Sequence, residues 1–68
     1  MVEFAEGDRV SWHSHGGQAV GVVLARITEE TEAGGRHVRA SPQEPQHLVR
    51  SEKSGGEAVH EPDALTRA

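Results

Sequence analysis

Five histidines are the residues of this 68-residue chain with the most evident capacity for chemistry. His13 and His15 are two positions apart, so on a continuous strand they would project from the same side. Zinc or copper would need further ligands, which the other three histidines could supply in the folded chain. However, the chain has no cysteine and no His-Glu-x-x-His spacing, and both residues fall in a glycine-containing segment. We therefore interpret the histidines as surface residues and predict no metal site and no cofactor.

The sequence offers little for nucleophilic catalysis. It has no cysteine and no tyrosine, and the Gly-x-Ser-x-Gly motif does not occur. Ser14 lies between two histidines, but neighbours in sequence do not create the geometry of a catalytic triad. A domain of this size also has little room for a deep substrate pocket. We predict that the protein is not an enzyme.

The charge of the chain is negative overall and unevenly distributed. A net charge of −4 and a pI near 5.6 argue against general attraction to nucleic acid or to anionic membranes. Residues 33–53, in contrast, carry four basic and two acidic side chains. The basic ones, which are our candidate binding residues, are Arg36, Arg39, Arg50 and Lys53. They could contact nucleic acid if their strands are adjacent, or they could belong to a solvated surface of mixed charge.

The composition also bears on location. No apolar run approaches the roughly 20 residues that a membrane span needs. The first residues lack the basic start and apolar stretch of a secretory signal, and the absence of cysteine fits a reducing compartment. We expect a cytoplasmic protein that does not associate with membranes.

Short apolar runs separated by turn residues predict an all-β fold. Val10 and Trp12 alternate with polar residues, which is typical of a half-buried strand. Residues 13–18 are polar and glycine-rich and predict a loop. Residues 19–28 are rich in β-branched side chains and predict a strand. Both alternate sets of this strand are apolar, so we expect it to bend at a barrel corner, with the bend at Gly21.

Further strands are predicted at residues 36–40, 47–51 and 57–60, and residues 62–65 fit one helical turn with proline at its start. Closure into a barrel would remove the unpaired edges of so small a sheet. We predict one domain over residues 1–68, a small five-stranded SH3-like barrel, with residues 1–6 and 66–68 flexible. The predicted core consists of Val10, Trp12, Val20, Val22, Val23, Leu24, Ile27, Val38, Leu48, Val49, Val59 and Leu65.

Strand alternation also predicts where the central arginines point. If Val38 faces inward, Arg39 faces outward. If Val49 faces inward, Arg50 reaches solvent, which avoids burying an unpaired charge. We predict this arrangement, in which Arg39 and Arg50 could share one exposed basic face.

Five motifs occur in an order that resembles a known family. They are Gly7-Asp8-Arg9-Val10-Ser11-Trp12, Gly21-Val22-Val23, Val38-Arg39-Ala40-Ser41, Pro45-Gln46-His47-Leu48-Val49-Arg50-Ser51 and Ala58-Val59-His60-Glu61-Pro62-Asp63-Ala64-Leu65. Together they resemble the hypervirulence-associated protein Tudor-domain family over nearly the whole chain. His47 departs from the pattern, because the resemblance leads us to expect tyrosine there. The resemblance implies an SH3-like barrel of the Tudor type and implies no activity.

The aromatic content limits what such a barrel could bind. A cage for a methylated lysine or arginine needs several aromatic faces. The chain has one phenylalanine and one tryptophan, Phe4 and Trp12, and Trp12 is predicted to be core. We therefore favour an unidentified protein or peptide partner, bound in a groove or along an exposed strand edge. Binding of RNA or DNA through the basic segment 36–53 is the alternative.

Overall fold

A computed structural model describes residues 4–68 and confirms the predicted all-β fold. These residues form seven strands: β1 (Arg9–Ser14), β2 (Gly17–Ile27), β3 (Thr31–Ala33), β4 (Arg36–Val38), β5 (Gln46–Ser51), β6 (Glu57–His60) and β7 (Thr66–Arg67). One 3-10 turn, Pro62–Ala64, lies between β6 and β7. In this part of the chain, no helix is long and apolar enough to cross a membrane.

The strands form two antiparallel sheets. The larger sheet has the order β6-β5-β2-β1-β7, and β3 and β4 form a separate hairpin. Val10 lies opposite Gly21, and Val23 lies opposite Val49, so β1, β2 and β5 pair in succession. β7 pairs with β1 and brings the last residues beside the first strand.

The first turn is shorter than the sequence predicted. The prediction of a loop over residues 13–18 is wrong at both ends, because β1 continues to Ser14 and β2 begins at Gly17. Ser14 lies opposite Gly17, and its hydroxyl donates to the Gly17 carbonyl over 2.9 Å. Gly17 has a φ of +124°, a conformation that favours glycine. The glycines marked the turn, but cross-strand pairing extended the strands into it.

The bend in β2 arises from a β-bulge that lies beyond the expected position. The prediction that the strand bends at Gly21 is wrong, because the register of β2 with β5 shifts between Val23 and Ala25. Leu24 is the additional residue, so Ala25 faces the side of the sheet opposite to Val23. This exchange of faces explains why apolar residues occur at both alternate positions of β2.

Gly21 is instead a point of close approach. A β-carbon at this position would lie 1.9 Å from the carbonyl oxygen of Arg50 and 2.8 Å from Cη2 of Trp12. Both distances are far below van der Waals contact. The absence of a side chain at Gly21 therefore lets β2 lie against β5 and beneath the indole.

The bulge divides the apolar side chains into two clusters. The first contains Phe4, Val10, Trp12, Val23, Val49 and Leu65. The second contains Ile27, Val38 and Val59, and the β3–β4 hairpin covers it. The turn of this hairpin is Gly34-Gly35, with φ values of +59° and +77°, as the favoured two-residue hairpin turn requires.

The predicted core is confirmed in its central members. The buried ones are Val10, Trp12, Val23, Ile27, Val38, Val49, Val59 and Leu65. The prediction overestimates the burial of four further residues, which are only half-buried: Val20, Val22, Leu24 and Leu48. It missed Phe4 and His47, which are both buried. An isolated phenylalanine and a histidine carry no periodic signal, so only tertiary contacts show that they are core.

Both ends of the described chain make defined contacts. Phe4 belongs to the first cluster, and Arg67 lies opposite Val10 in β7. The flexibility expected for residues 4–6 and 66–68 stays a prediction, as does the extent of the domain over residues 1–68. The same expectation for residues 1–3 lies outside the described residues.

Candidate binding groove

A groove of about 290 Å³ opens where β5 begins and β6 ends. His47 lies opposite His60 in this strand pair, so the residue before His47 and the residue after His60 meet at one end of the sheet. One wall consists of Arg39, Gln43, Glu44, Pro45 and Gln46. The other wall consists of Glu61, Pro62 and Asp63.

Internal hydrogen bonds hold the first wall. The side-chain amide of Gln46 donates to the Arg39 carbonyl over 2.8 Å and closes the loop between β4 and β5. Within the loop, the backbone N–H of Ser41 donates to the Glu44 carbonyl over 3.2 Å, and the N–H of Glu44 donates back over 3.0 Å. Pro45, which also lines the groove, is buried. The loop therefore presents its polar side chains from a fixed backbone.

The 3-10 turn holds the second wall. Pro62 stands at its first position, where a fixed φ favours the turn and no backbone N–H is needed. The N–H of Leu65 donates to the Pro62 carbonyl over 3.1 Å, and the Leu65 side chain is buried in the first cluster. This anchor leaves Glu61 and Asp63 exposed at the groove.

The groove is polar and carries more negative than positive charge. Its ionisable groups are the carboxylates of Glu44, Glu61 and Asp63 and the guanidinium of Arg39. Gln43 and Gln46 add side-chain amides, which both donate and accept hydrogen bonds. Such a lining can pair with the N–H groups, carbonyls and basic side chains of a peptide, whereas its net charge opposes a phosphate.

The four predicted binding residues lie in two pairs. Arg39 lines the groove, and Arg36 lies near the C-terminal end of β6. Arg50 lies opposite Glu57 at the N-terminal end of β6, and Lys53 lies in the preceding turn. The length of β6 separates the pairs by about 10 Å. The predicted outward orientation of Arg39 and Arg50 is confirmed, but their joint role in binding stays a prediction.

The histidines divide into exposed and buried positions. His13 and His15 are exposed, as the sequence predicted. His47 is fully buried, so the surface interpretation is wrong for this residue. No group of three or more histidine, aspartate or glutamate side chains within residues 4–68 could hold a metal ion.

Zinc is expected to leave the melting temperature of the protein unchanged. A specific site in the native state would raise it by mass action, because a ligand that binds only the folded form stabilises that form. The measurement is thermal unfolding with increasing zinc, on the wild type and on His13→Ala. A saturable, one-to-one stabilisation that disappears in His13→Ala would contradict the prediction.

Sequence reasoning missed most of the groove. Gln43, Glu44, Gln46, Glu61 and Asp63 were not predicted as site residues. The sequence pattern that could have indicated these residues is a pair of proline-containing polar segments. They are residues 42–46, at the start of β5, and residues 61–63, after β6. Their proximity depends on the β5–β6 register, which alternation alone does not fix.

A five-stranded antiparallel sheet, a separate two-stranded hairpin and a 3-10 turn before the last strand make up a small all-β domain of the kind expected for an SH3-like barrel. The family model for the hypervirulence associated proteins TUDOR domain matches residues 7–65. The chain therefore belongs to this family, which confirms the resemblance in the sequence. Comparison with curated proteins finds no match, and neither does comparison with solved structures. The family supports a small binding module without naming a ligand.

Proposed function

We propose that this domain is a non-catalytic binding module that takes a protein or peptide segment into the groove between the β4–β5 loop and the 3-10 turn. The observation that carries the proposal is the lining of this groove. Exposed Glu61 and Asp63 face a loop that offers two side-chain amides. A peptide with a basic side chain matches these groups in both charge and hydrogen bonding. We also propose a cytoplasmic location, which the absence of cysteine supports.

The burial of the aromatic rings supports a peptide over two other ligands. Trp12 is 7% exposed and Phe4 is 2% exposed, and the chain has no other phenylalanine or tryptophan and no tyrosine. Neither ring offers a face for a methylated cation. Neither ring offers a face for stacking on an unpaired base, which is the usual source of affinity for single-stranded RNA.

The test is selection of a random peptide library on the immobilised domain, followed by affinity measurements on the selected peptides. Binding is expected to fall by about tenfold or more in the double variant Glu61→Gln and Asp63→Asn, since one lost charge-assisted contact is worth roughly that factor. The matched control is Glu29→Gln with Glu32→Gln, which makes the same charge change at exposed positions outside the groove. The control should bind as the wild type does.

Random RNA and DNA oligomers form the comparison arm. At physiological salt they are expected to bind no better than about 10⁻⁴ M, the range of non-specific contacts. Micromolar binding that weakens steeply with salt and drops in Arg39→Glu and Arg50→Glu would overturn the proposal in favour of nucleic acid. Selected peptides that bind the groove variant and the wild type equally would place the site elsewhere.

A further inference from the structure

Arg39 is the only positively charged residue among residues 4–68 that lines the groove, and it is exposed. Its guanidinium forms no ion pair within these residues, although three carboxylates line the same groove. The walls of the groove therefore hold the guanidinium apart from the carboxylates. A cation that is unpaired in this way is available to an anionic group of a ligand, with which it can form charge-assisted hydrogen bonds.

Contacts of the backbone fix the position of Arg39. The preceding residue, Val38, is fully buried in the second apolar cluster. The carbonyl of Arg39 accepts the hydrogen bond from the Gln46 side chain over 2.8 Å. Neither contact uses the guanidinium, so the side chain leaves the first wall at a defined point and keeps its N–H donors for a ligand.

Glu44, the one carboxylate on the same wall, lies farther along the loop. Gln46 bonds to Arg39 at the base of the loop, whereas Glu44 bonds to Ser41 near its tip. Two residues of extended chain, about 7 Å, separate Arg39 from Ser41. An anion bound at Arg39 therefore lies away from Glu44, and water weakens the repulsion between them.

The second wall carries only negative charge. Glu61 and Asp63 are exposed on either side of Pro62, and the 3-10 turn holds them together. A ligand in the groove thus meets a cation on one side and two anions on the other. The groove therefore favours a ligand that directs a negative group toward Arg39 and a positive group toward the 3-10 turn, because the opposite orientation would place like charges together.

Two neighbouring residues of an extended peptide meet this requirement. Successive side chains of an extended chain point to opposite sides, so one faces the first wall while the next faces the second. Residues two positions apart point to the same side and would bring both of their charges to one wall. An acidic residue directly beside a basic residue is therefore the arrangement that matches the two walls.

We propose that the groove selects a protein or peptide segment in which an acidic residue stands directly beside a basic residue. The acidic side chain pairs with Arg39, and the basic side chain pairs with Glu61 and Asp63. This inference rests on the proposed function, because it names the class of partner for the same groove. The paired residues carry no net charge, so the general attraction of basic peptides to an acidic protein does not account for their selection.

Titration of the full chain with capped hexapeptides, followed by NMR chemical shifts, tests the pairing. The probe is acetyl-Gly-Ala-Glu-Arg-Ala-Gly-amide or the same peptide with the order Arg-Glu, whichever binds more tightly. Replacement of its glutamate by glutamine should weaken binding by about five- to tenfold, the worth of one charge-assisted contact at an exposed site. Separation of the two charges by one glycine should weaken binding similarly, because both side chains then point to the same side.

Variants of the protein assign this preference to Arg39. Arg39→Gln should bind the glutamate and glutamine peptides equally, and Arg39→Glu should favour a peptide with lysine in place of the glutamate. Both variants keep the loop, since Gln46 bonds to the backbone of Arg39 and not to its side chain. Arg9→Gln is the matched control, because Arg9 is exposed and pairs with Glu52, beyond the opposite end of β5. This control should keep the preference for glutamate.

The outcomes separate this inference from the proposed function. Equal binding of the glutamate and glutamine peptides, with affinity that still depends on Glu61 and Asp63, would overturn the inference and leave the peptide groove in place. The same conclusion would follow from a glutamate preference that persists in Arg39→Gln, or from library peptides that bind the groove without neighbouring acidic and basic residues. Failure of every hexapeptide to bind, together with library peptides that ignore the groove variants, would overturn both.

Discussion

Replacement of Trp12 by alanine is expected to lower the free energy of unfolding by about 3–5 kcal/mol, the usual cost of removing a buried tryptophan. Trp12 is 7% exposed, belongs to the first apolar cluster and lies against Gly21 and His60. A domain of this length has a total stability of only roughly 3–10 kcal/mol. Trp12→Ala is therefore expected to be largely unfolded at physiological temperature.

Urea unfolding followed by circular dichroism measures this effect without relying on the fluorescence of the tryptophan itself. Trp12→Phe, which keeps an aromatic ring in the cluster, should lose less than the alanine variant. His13→Ala changes an exposed neighbour on the same strand and should stay within about 0.5 kcal/mol of the wild type. A Trp12→Ala variant as stable as the wild type would show that the indole is not core and would make it a candidate for ligand contact.

Replacement of Gly21 by alanine is expected to destabilise the domain by at least about 3 kcal/mol, the upper end of the usual range for overpacking. The new β-carbon would overlap the carbonyl oxygen of Arg50, at 1.9 Å, as well as the Trp12 ring. A flexible side chain could move away, but this oxygen belongs to the backbone of β5. Relief of the overlap would require β2 and β5 to separate, and this pairing carries both apolar clusters.

Gly16→Ala is the matched control, because the same change is made where no other part of the described chain lies within 4 Å of the added β-carbon. Gly16 also has no positive φ. The free energy of unfolding of the Gly16→Ala variant should therefore differ from that of the wild type by less than about 1 kcal/mol. Equal urea midpoints for Gly21→Ala and Gly16→Ala would show that β2 and β5 do not approach each other as closely as described.

The sequence by itself determined the fold class and most of the strand positions. Val10 and Trp12 alternate with polar residues, and Pro62 begins the 3-10 turn. These signals are local, because backbone preferences and side-chain alternation act over a few residues. The outward orientation of Arg39 and Arg50 followed from the same alternation, since burying either charge unpaired would be costly.

Tertiary structure alone decided the position of the bulge, the burial of His47 and the existence of the groove. The bulge at Leu24 depends on how β2 pairs with β5, and that pairing joins residues far apart in the chain. His47 is core because Phe4, 43 positions earlier, covers it and uses its Nε2. The groove forms because the register of His47 with His60 brings two proline-containing segments together. Each of these features depends on a long-range contact, which residue types and local spacing do not specify.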